Sequence, residues 1–312
     1  MRVPQVIKDE YNKRRRENEA EISRRHEELK IKVPEIADIE SEQKMLAFDL
    51  GKTAFGGSDN AYKHEAERVR ARISDLETLK LKLMRANGFP EDYFDIHYTC
   101  SECKDSGYVD SHGGKMCSCL KARILEYQYA SSGIKEDECF EKFDLGVYRD
   151  EKQRDYMRKT RDFALNYADG LPNTRPQNLL LLGATGLGKT FLLNCIAKRA
   201  MENGLYVVKI TAYNMFESIL SSIRTGSEAP NYISCDLLAI DDLGTEPLLN
   251  NITTENLFNI INEREVLEKP MVIASNLSKA TLFKHYDERV GSRLLSPKYN
   301  SVITLKGDDI RL

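Results

Sequence analysis

What this chain of 312 residues lacks narrows it first. It has no apolar run near the roughly 18 residues that a membrane-crossing helix needs. The longest run, around Leu179 to Leu182, has the length of a strand. Its first residues carry Lys13, Arg14, Arg15 and Arg16 among acids, with no apolar centre for a signal peptide. It has no large charge excess: Lys+Arg 46 against Asp+Glu 49 leaves a formal net charge of -3, which argues against coating nucleic acid through bulk charge. Any DNA contact would need a local basic surface. There is no internal repeat and no low-complexity tract. Seven cysteines, an odd count with four of them clustered, suit reduced thiols and a metal site better than a disulfide framework. Together these absences imply a globular, cytoplasmic chain with no membrane partner.

What is there falls into three regions. From about Val6 to Asn87 the sequence is charged and reads as helical. Val69, Ile73, Leu76, Leu79 and Leu83 recur at spacings that put them on one helical stripe, and Gly88 and Pro90 stop the helix. The pattern predicts a helical hairpin or small bundle, whose charges form either a solvated face or a partner-binding pair of helices. A cysteine-rich stretch follows from Tyr98 to about Tyr129, and then a joining segment with Phe140, Phe143, Gly146 and Tyr148. From about Glu151 to the end, strand and helix patterns alternate. The strand candidates are Asn178–Leu182, Tyr206–Thr211, Asp236–Ile240, Met271–Ala274 and Ser301–Leu305. Strands alternating with helices predict an α/β fold, a parallel sheet covered on both faces.

The third region carries the chemistry. Gly183-Ala184-Thr185-Gly186-Leu187-Gly188-Lys189-Thr190 fits G-x-x-x-x-G-K-[ST], between an apolar strand and a helical run. Its glycines let backbone N–H groups ring the phosphates of ATP, and the helix N-terminus adds partial positive charge. Lys189 is expected to reach the β- and γ-phosphates and the Thr190 hydroxyl to ligate Mg²⁺. Downstream, the apolar run Leu237–Ile240 leads to Asp241 and Asp242 at a strand's C-terminal edge, where ligands sit in open α/β sheets. Asp241 is the candidate magnesium partner and Asp242 the candidate that orients the attacking water. Asp242 stands where many such ATPases carry a glutamate, so slow hydrolysis is expected; Glu246 is the weaker alternative base. Asn276, after the next strand, is placed to hold the attacking water. Arg289 and Arg293, four apart, share a helix face, and a guanidinium near a γ-phosphate stabilises phosphoryl transfer. Arg311 is a candidate to touch nucleotide from the same subunit.

Cys100-x2-Cys103 is followed by Cys117-x-Cys119. Two close pairs across a short polar loop can close a tetrahedral S₄ site, for which Zn²⁺ is the default metal in a reduced compartment. His112 is an alternative to one thiolate, and iron–sulfur ligation and a redox pair are the competing readings. Cys139, Cys195 and Cys235 read as small core residues.

The phosphate loop, Asp241-Asp242-Leu243-Gly244-Thr245-Glu246, Ala274-Ser275-Asn276, Arg289-Val290-Gly291-Ser292-Arg293-Leu294 and the cysteine stretch from Cys100 to Gly107, taken together, resemble the DnaC/DnaI-like bacterial replicative helicase loaders. These are AAA+ ATPases close to the initiator clade. The resemblance covers the chain from about residue 98 to the end; the helical N-terminus matches only in character. It implies a helical helicase-interaction region over 1–97, a zinc-binding module over 98–130, a linker over 131–150 and an AAA+ ATPase domain over 151–312. It further implies that Asn276 is sensor 1, Arg293 the arginine finger offered to a neighbouring subunit with Arg289 beside it, and Arg311 the sensor-2 residue. The implied partners are a hexameric replicative DNA helicase, single-stranded DNA, and further copies of the chain on ATP. Phe216, Arg224 and Tyr232 would contact DNA by stacking and charge, although Phe216 also lies at helical core spacing with Ile219, Leu220 and Ile223. An IstB-like transposition helper shares the ATPase motifs, but such proteins typically lack the cysteine-rich unit.

Overall fold

The computed structural model describes residues 3–53, 59–110, 114–226, 232–249 and 252–311. They form two compact units, one of residues 5–119 and the other of residues 120–312 with the first four.

In the first unit, α1 (Gln5–Lys32), α2 (Glu35–Thr53) and α3 (Asp59–Ala86) account for the charged N-terminal sequence. Pro34 lies between α1 and α2. Gly88, at φ +78°, ends α3, and the Phe89 N–H closes back on the Met84 carbonyl at 2.9 Å. Leu29, Val33, Ile36, Met84 and Phe89 form the small core. Val69 and Leu76 are buried as their spacing predicts, but Leu79 is 46% exposed. From Leu76 the same face continues four residues on, at Lys80, then at Met84. Lys80 lays its stem there, its ammonium 2.9 Å from Glu40 and 5.3 Å from the Phe94 ring centroid.

The second unit carries α4 from Leu120 onward (helix Ser118–Ser132), two short 3₁₀ turns (Phe140–Lys142 and Leu145–Val147) and α5 (Glu151–Gly170). Then come β1 (Asn178–Leu182), α6 (Lys189–Glu202), β2 (Val207–Thr211), α7 (Ala212–Thr225), β3 (Leu237–Leu243), α8 (Thr253–Val266), β4 (Met271–Ser275), α9 (Lys279–Tyr286), α10 (Glu288–Leu295) and β5 (Asn300–Thr304). The strands pair in parallel in the order β2-β3-β4-β1-β5. This is an open parallel α/β sheet with a phosphate loop between its β1 and α6.

Strand periodicity divides the core in two. Leu179, Leu181, Leu237, Ala239, Val272 and Ala274 face one side, where α5, α6 and the segment with Phe140 and Phe143 cover them. Leu180, Leu182, Leu238, Ile240, Met271 and Ile273 face the other, beneath α7 to α10. Every residue of β1 and β4 is buried, which explains their continuous apolar runs. Phe216 and Tyr232 belong to that second core, 1% and 5% exposed, and the Tyr232 hydroxyl shares a hydrogen bond with Ser218. Neither ring is available to stack on a base, which corrects the DNA-contact expectation for Tyr232 and bears out the core spacing of Phe216. Arg224 is exposed. Among the described residues no helix is long and apolar enough to cross a membrane.

Candidate functional site

Parallel pairing brings the C-terminal ends of β1, β3 and β4 to one edge of the sheet, with Leu182 beside Ser275. The phosphate loop leaves β1 there and turns through Gly183, Gly186 and Gly188, all at positive φ, before α6 begins at Lys189. Two of these glycines leave no room for a side chain: a Cβ on Gly183 would lie 2.6 Å from the Leu305 carbonyl, and one on Gly186 would overlap the Asp309 carboxylate. Lys189 is buried and donates to the carbonyls of Gly183 and Ala184 at 2.8 and 2.6 Å. Burial lowers its pKa, Asp242 and Asp241 oppose that, and Arg311 adds a further lowering.

The two acids are set by an irregularity in β3. Between Ile240 and Leu243 its register against β4 shifts by one residue, and Asp242 adopts φ +53°. Such a bulge re-aims the side chains beside it. Asp241, 3% exposed, accepts from the Thr190 hydroxyl at 3.1 Å and from the Asp242 N–H at 3.0 Å. Burial raises its pKa and the charge of Asp242 raises it further, against the Thr190 hydrogen bond.

A cavity of about 310 Å³ opens over these groups, lined by Thr185 to Thr190, Asp242, Asn276, Ile310 and Arg311. Beside it, sharing Gly188 and Ile310, lies an apolar recess of about 150 Å³ walled by Phe143, Val147, Tyr148 and Phe191, with Lys142 and Asp144 at its rim. The Tyr148 phenol, pushed up to about 12 by burial, would meet a Cβ on Gly188 at 2.8 Å. Sequence reading missed this recess, although the aromatic spacing from Phe140 to Tyr148 was its signal. It also missed the docking of the last residues on the phosphate loop. There the Ile310 N–H donates to the Gly186 carbonyl at 2.9 Å, and Gln153 brackets Asp308 through both its amide atoms.

The structure thus brings together the phosphate loop, Asp241, Asp242, Asn276 and Arg311. It does not bring Glu246 to the cavity lining. That carboxylate is 4% exposed and accepts from the Gly244 N–H at 2.8 Å and from the Tyr286 hydroxyl. Arg289 and Arg293 also lie outside the lining of their own chain's cavity. Both stack over Phe258, at 5.4 and 4.8 Å, and pair with Glu255 and Glu265 of α8, each at 2.8 Å.

In the other unit the four cysteine Sγ atoms of Cys100, Cys103, Cys117 and Cys119 lie within 4.8 Å of one another. A tetrahedral Zn²⁺ with bonds of about 2.3 Å spaces its sulfurs about 3.8 Å apart. Cys100–Cys117 and Cys103–Cys119, at 3.8 and 3.5 Å, fit that spacing. Pairing of Tyr108 with Met116 and a 2.9 Å bond from the Cys117 N–H to the Gly107 carbonyl fold the two halves together. A backbone hydrogen bond from Cys103 lowers the Cys100 thiol to about 7, whereas burial pushes Cys119 up to about 12. The cluster can therefore bind zinc with four thiolates; His112 lies outside the described residues.

The family described as IstB-like ATP binding protein matches residues 118–304. The chromosomal replication initiator protein DnaA of Campylobacter concisus is 31% identical over 118 residues, 37% of this chain and 27% of that protein. The chain thus spans about a quarter of the length of the curated relatives it matches. Among solved structures, the DnaC helicase loader is 19% identical with a TM-score of 0.46, covering 55% of this chain and 98% of that one. AMPPCP-bound DnaA from Aquifex aeolicus is 23% identical with a TM-score of 0.45, covering 57% and 52%.

Proposed function

The chain belongs to the IstB-like ATP binding protein family, and on that premise we propose that it is an ATP-driven loader of a hexameric replicative DNA helicase onto single-stranded DNA. The observation that carries this reading is the presence of a phosphate-loop cavity in one unit and a four-cysteine cluster in the other. A transposition helper of the IstB type is the second reading, favoured by the family match alone.

Lys189 and the loop amides hold the phosphates of ATP, and the Thr190–Asp241 pair holds Mg²⁺, whose charge offsets that of the phosphates. Adenine fits the apolar recess between Phe143, Val147 and Phe191. Asp242 and Asn276 orient the attacking water. The short Asp242 side chain, held at the bulge, makes hydrolysis slow. Arg311 faces the same nucleotide, whereas Arg293 leaves its Glu265 and Phe258 contacts to reach the γ-phosphate on a neighbouring copy. ATP then serves as an assembly signal. Zn²⁺ holds the four thiolates together in the N-terminal unit, which grips the helicase. The protein acts in the cytoplasm.

Gel filtration with the host's replicative helicase, with and without ATP, tests the reading. Co-migration is expected, and its absence under both conditions would overturn the loader role. A mixture of Lys189→Ala and Arg293→Ala chains tests the shared site. Each alone is expected to be inactive, and the mixture to recover phosphate release, because one supplies the arginine and the other the phosphate loop.

A further inference from the structure

Two side chains of α1 reach the cysteine cluster from outside its loop. The Tyr11 hydroxyl donates to Cys119 Sγ at 3.4 Å, and Tyr11 is itself 6% exposed. Seven residues on, two turns along the same face, the Asn18 amide donates to Asp105 Oδ2 at 3.4 Å. Asp105 is 1% exposed and accepts from the Thr99 and Cys100 N–H groups at 3.0 and 2.9 Å, so it fixes the backbone that presents the first ligand.

The charges decide what these contacts are for. Zn²⁺ with four thiolates carries a net charge of −2, and each sulfur holding that charge gains from a hydrogen-bond donor. Cys103 has one in the Gly107 N–H at 3.3 Å. Cys119, in the first turn of α4, has the Tyr11 hydroxyl. Cys117 faces the Glu102 carboxylate at 3.3 Å, a contact in which the thiol is the donor and which metal binding dissolves by removing that proton.

We propose that Tyr11 is an outer-shell positioning residue of the zinc site, so that metal occupancy and the docking of α1 are thermodynamically linked. The inference rests on the reading of Cys100, Cys103, Cys117 and Cys119 as a zinc site. α1 is polar nearly all round, with Ile7, Tyr11 and Leu29 its buried residues. Its own stability comes from ion pairs one turn apart, such as Arg14–Glu10 and Lys32–Glu28. A helix of this kind has a weak apolar hold on its surroundings, and the Tyr11 and Asn18 tethers matter correspondingly more. By linkage, whatever zinc gains from docked α1, α1 gains from zinc.

The experiment uses the full chain with zinc bound, and competition against a chromophoric chelator as readout. Tyr11→Phe, which keeps the ring and removes the donor, is expected to weaken zinc binding by about tenfold. Asn18→Ala is expected to weaken it less, and Tyr213→Phe, on the exposed surface of the other unit, not at all. Zinc withdrawal from the wild-type chain is expected to speed amide exchange across residues 8–22 more than across residues 84–89. Wild-type protein that purifies without zinc and takes up none would remove the zinc reading itself. Zinc affinity of Tyr11→Phe within twofold of wild type, or exchange that rises equally in both segments, would overturn the link while leaving the zinc site standing.

Discussion

Tyr286, the last residue of α9, donates its buried hydroxyl to the buried carboxylate of Glu246, which also accepts from the Gly244 N–H. Glu246 sits three residues beyond the end of β3, and Asp287, next after Tyr286, caps the helix that carries Arg289 and Arg293. The pair therefore ties the end of the acidic strand to the start of the arginine helix. Tyr286→Phe leaves an acceptor buried without its donor, which costs about 1 to 3 kcal/mol. A lowered thermal midpoint with nucleotide affinity within about twofold is expected. An unchanged midpoint would show that the hydrogen bond contributes nothing.

Lys189→Ala removes both the charge for phosphate and the two bonds that brace the loop carbonyls. Nucleotide affinity is expected to fall by at least about a hundredfold, or roughly 2.7 kcal/mol. Isothermal titration with a non-hydrolysable analogue would reveal a smaller loss. Such a result would place the phosphates elsewhere.

Asp242→Glu restores the longer acid at the water-orienting position. Phosphate release is expected to rise several-fold, tempered by the strain of a glutamate at φ +53°. Asp242→Asn should bind nucleotide and release no phosphate. If the asparagine variant hydrolyses at the wild-type rate, the base lies elsewhere.

Burial raises the pKa of Asp241. A carboxyl with a raised folded pKa costs no stability below its ordinary value. It destabilises the fold progressively as pH climbs from that value through the folded pKa, and by a constant amount above it. Asp241→Asn removes the titration. In the absence of nucleotide it is expected to melt above wild type at neutral pH and to show a flatter pH profile across that window, while losing magnesium-dependent nucleotide binding. A variant that melts below wild type at neutral pH would contradict the sign.

Val147, 42% exposed, walls the apolar recess. Val147→Asp is expected to lower ATP affinity by roughly tenfold, or about 1.4 kcal/mol, with little change in stability because the site is at the surface. Equal affinity in a fluorescent-nucleotide titration would take adenine out of the recess.

The strands were legible because a parallel sheet buried on both faces writes itself as short apolar runs: every strand lies within three residues of its sequence-based bounds. The phosphate loop was legible because its glycines and lysine are adjacent in sequence. What was hidden depends on distance. The recess draws Phe143 and Phe191 from segments nearly fifty residues apart, and Asp309 meets Gly186 from the far end of the chain. Glu246 looked like a base because it follows the acids; only the fold supplies Tyr286 to occupy it. Tyr232 shows the opposite error, an aromatic read as a contact that the second core absorbs, whereas Phe216 lies in that core as its helical spacing indicates. On α3 the apolar stripe fails at Leu79, because the buried face passes instead through Lys80, whose ammonium has Glu40 to meet.

The bulge in β3 also governs which sequence changes the site can survive. Neighbouring residues on a regular strand point to opposite faces, so an extra residue is what lets Asp241 meet Thr190 while Asp242 lines the cavity. Exchange of either acid alters chemistry at one position and leaves the ladder in place. Deletion of either would restore a regular strand with Leu243 still opposite Ser275, but would leave one acid where two now divide the work. Descendants of this sequence can therefore exchange either acid without disturbing the sheet, though not without changing the chemistry, and cannot lose one and keep both roles.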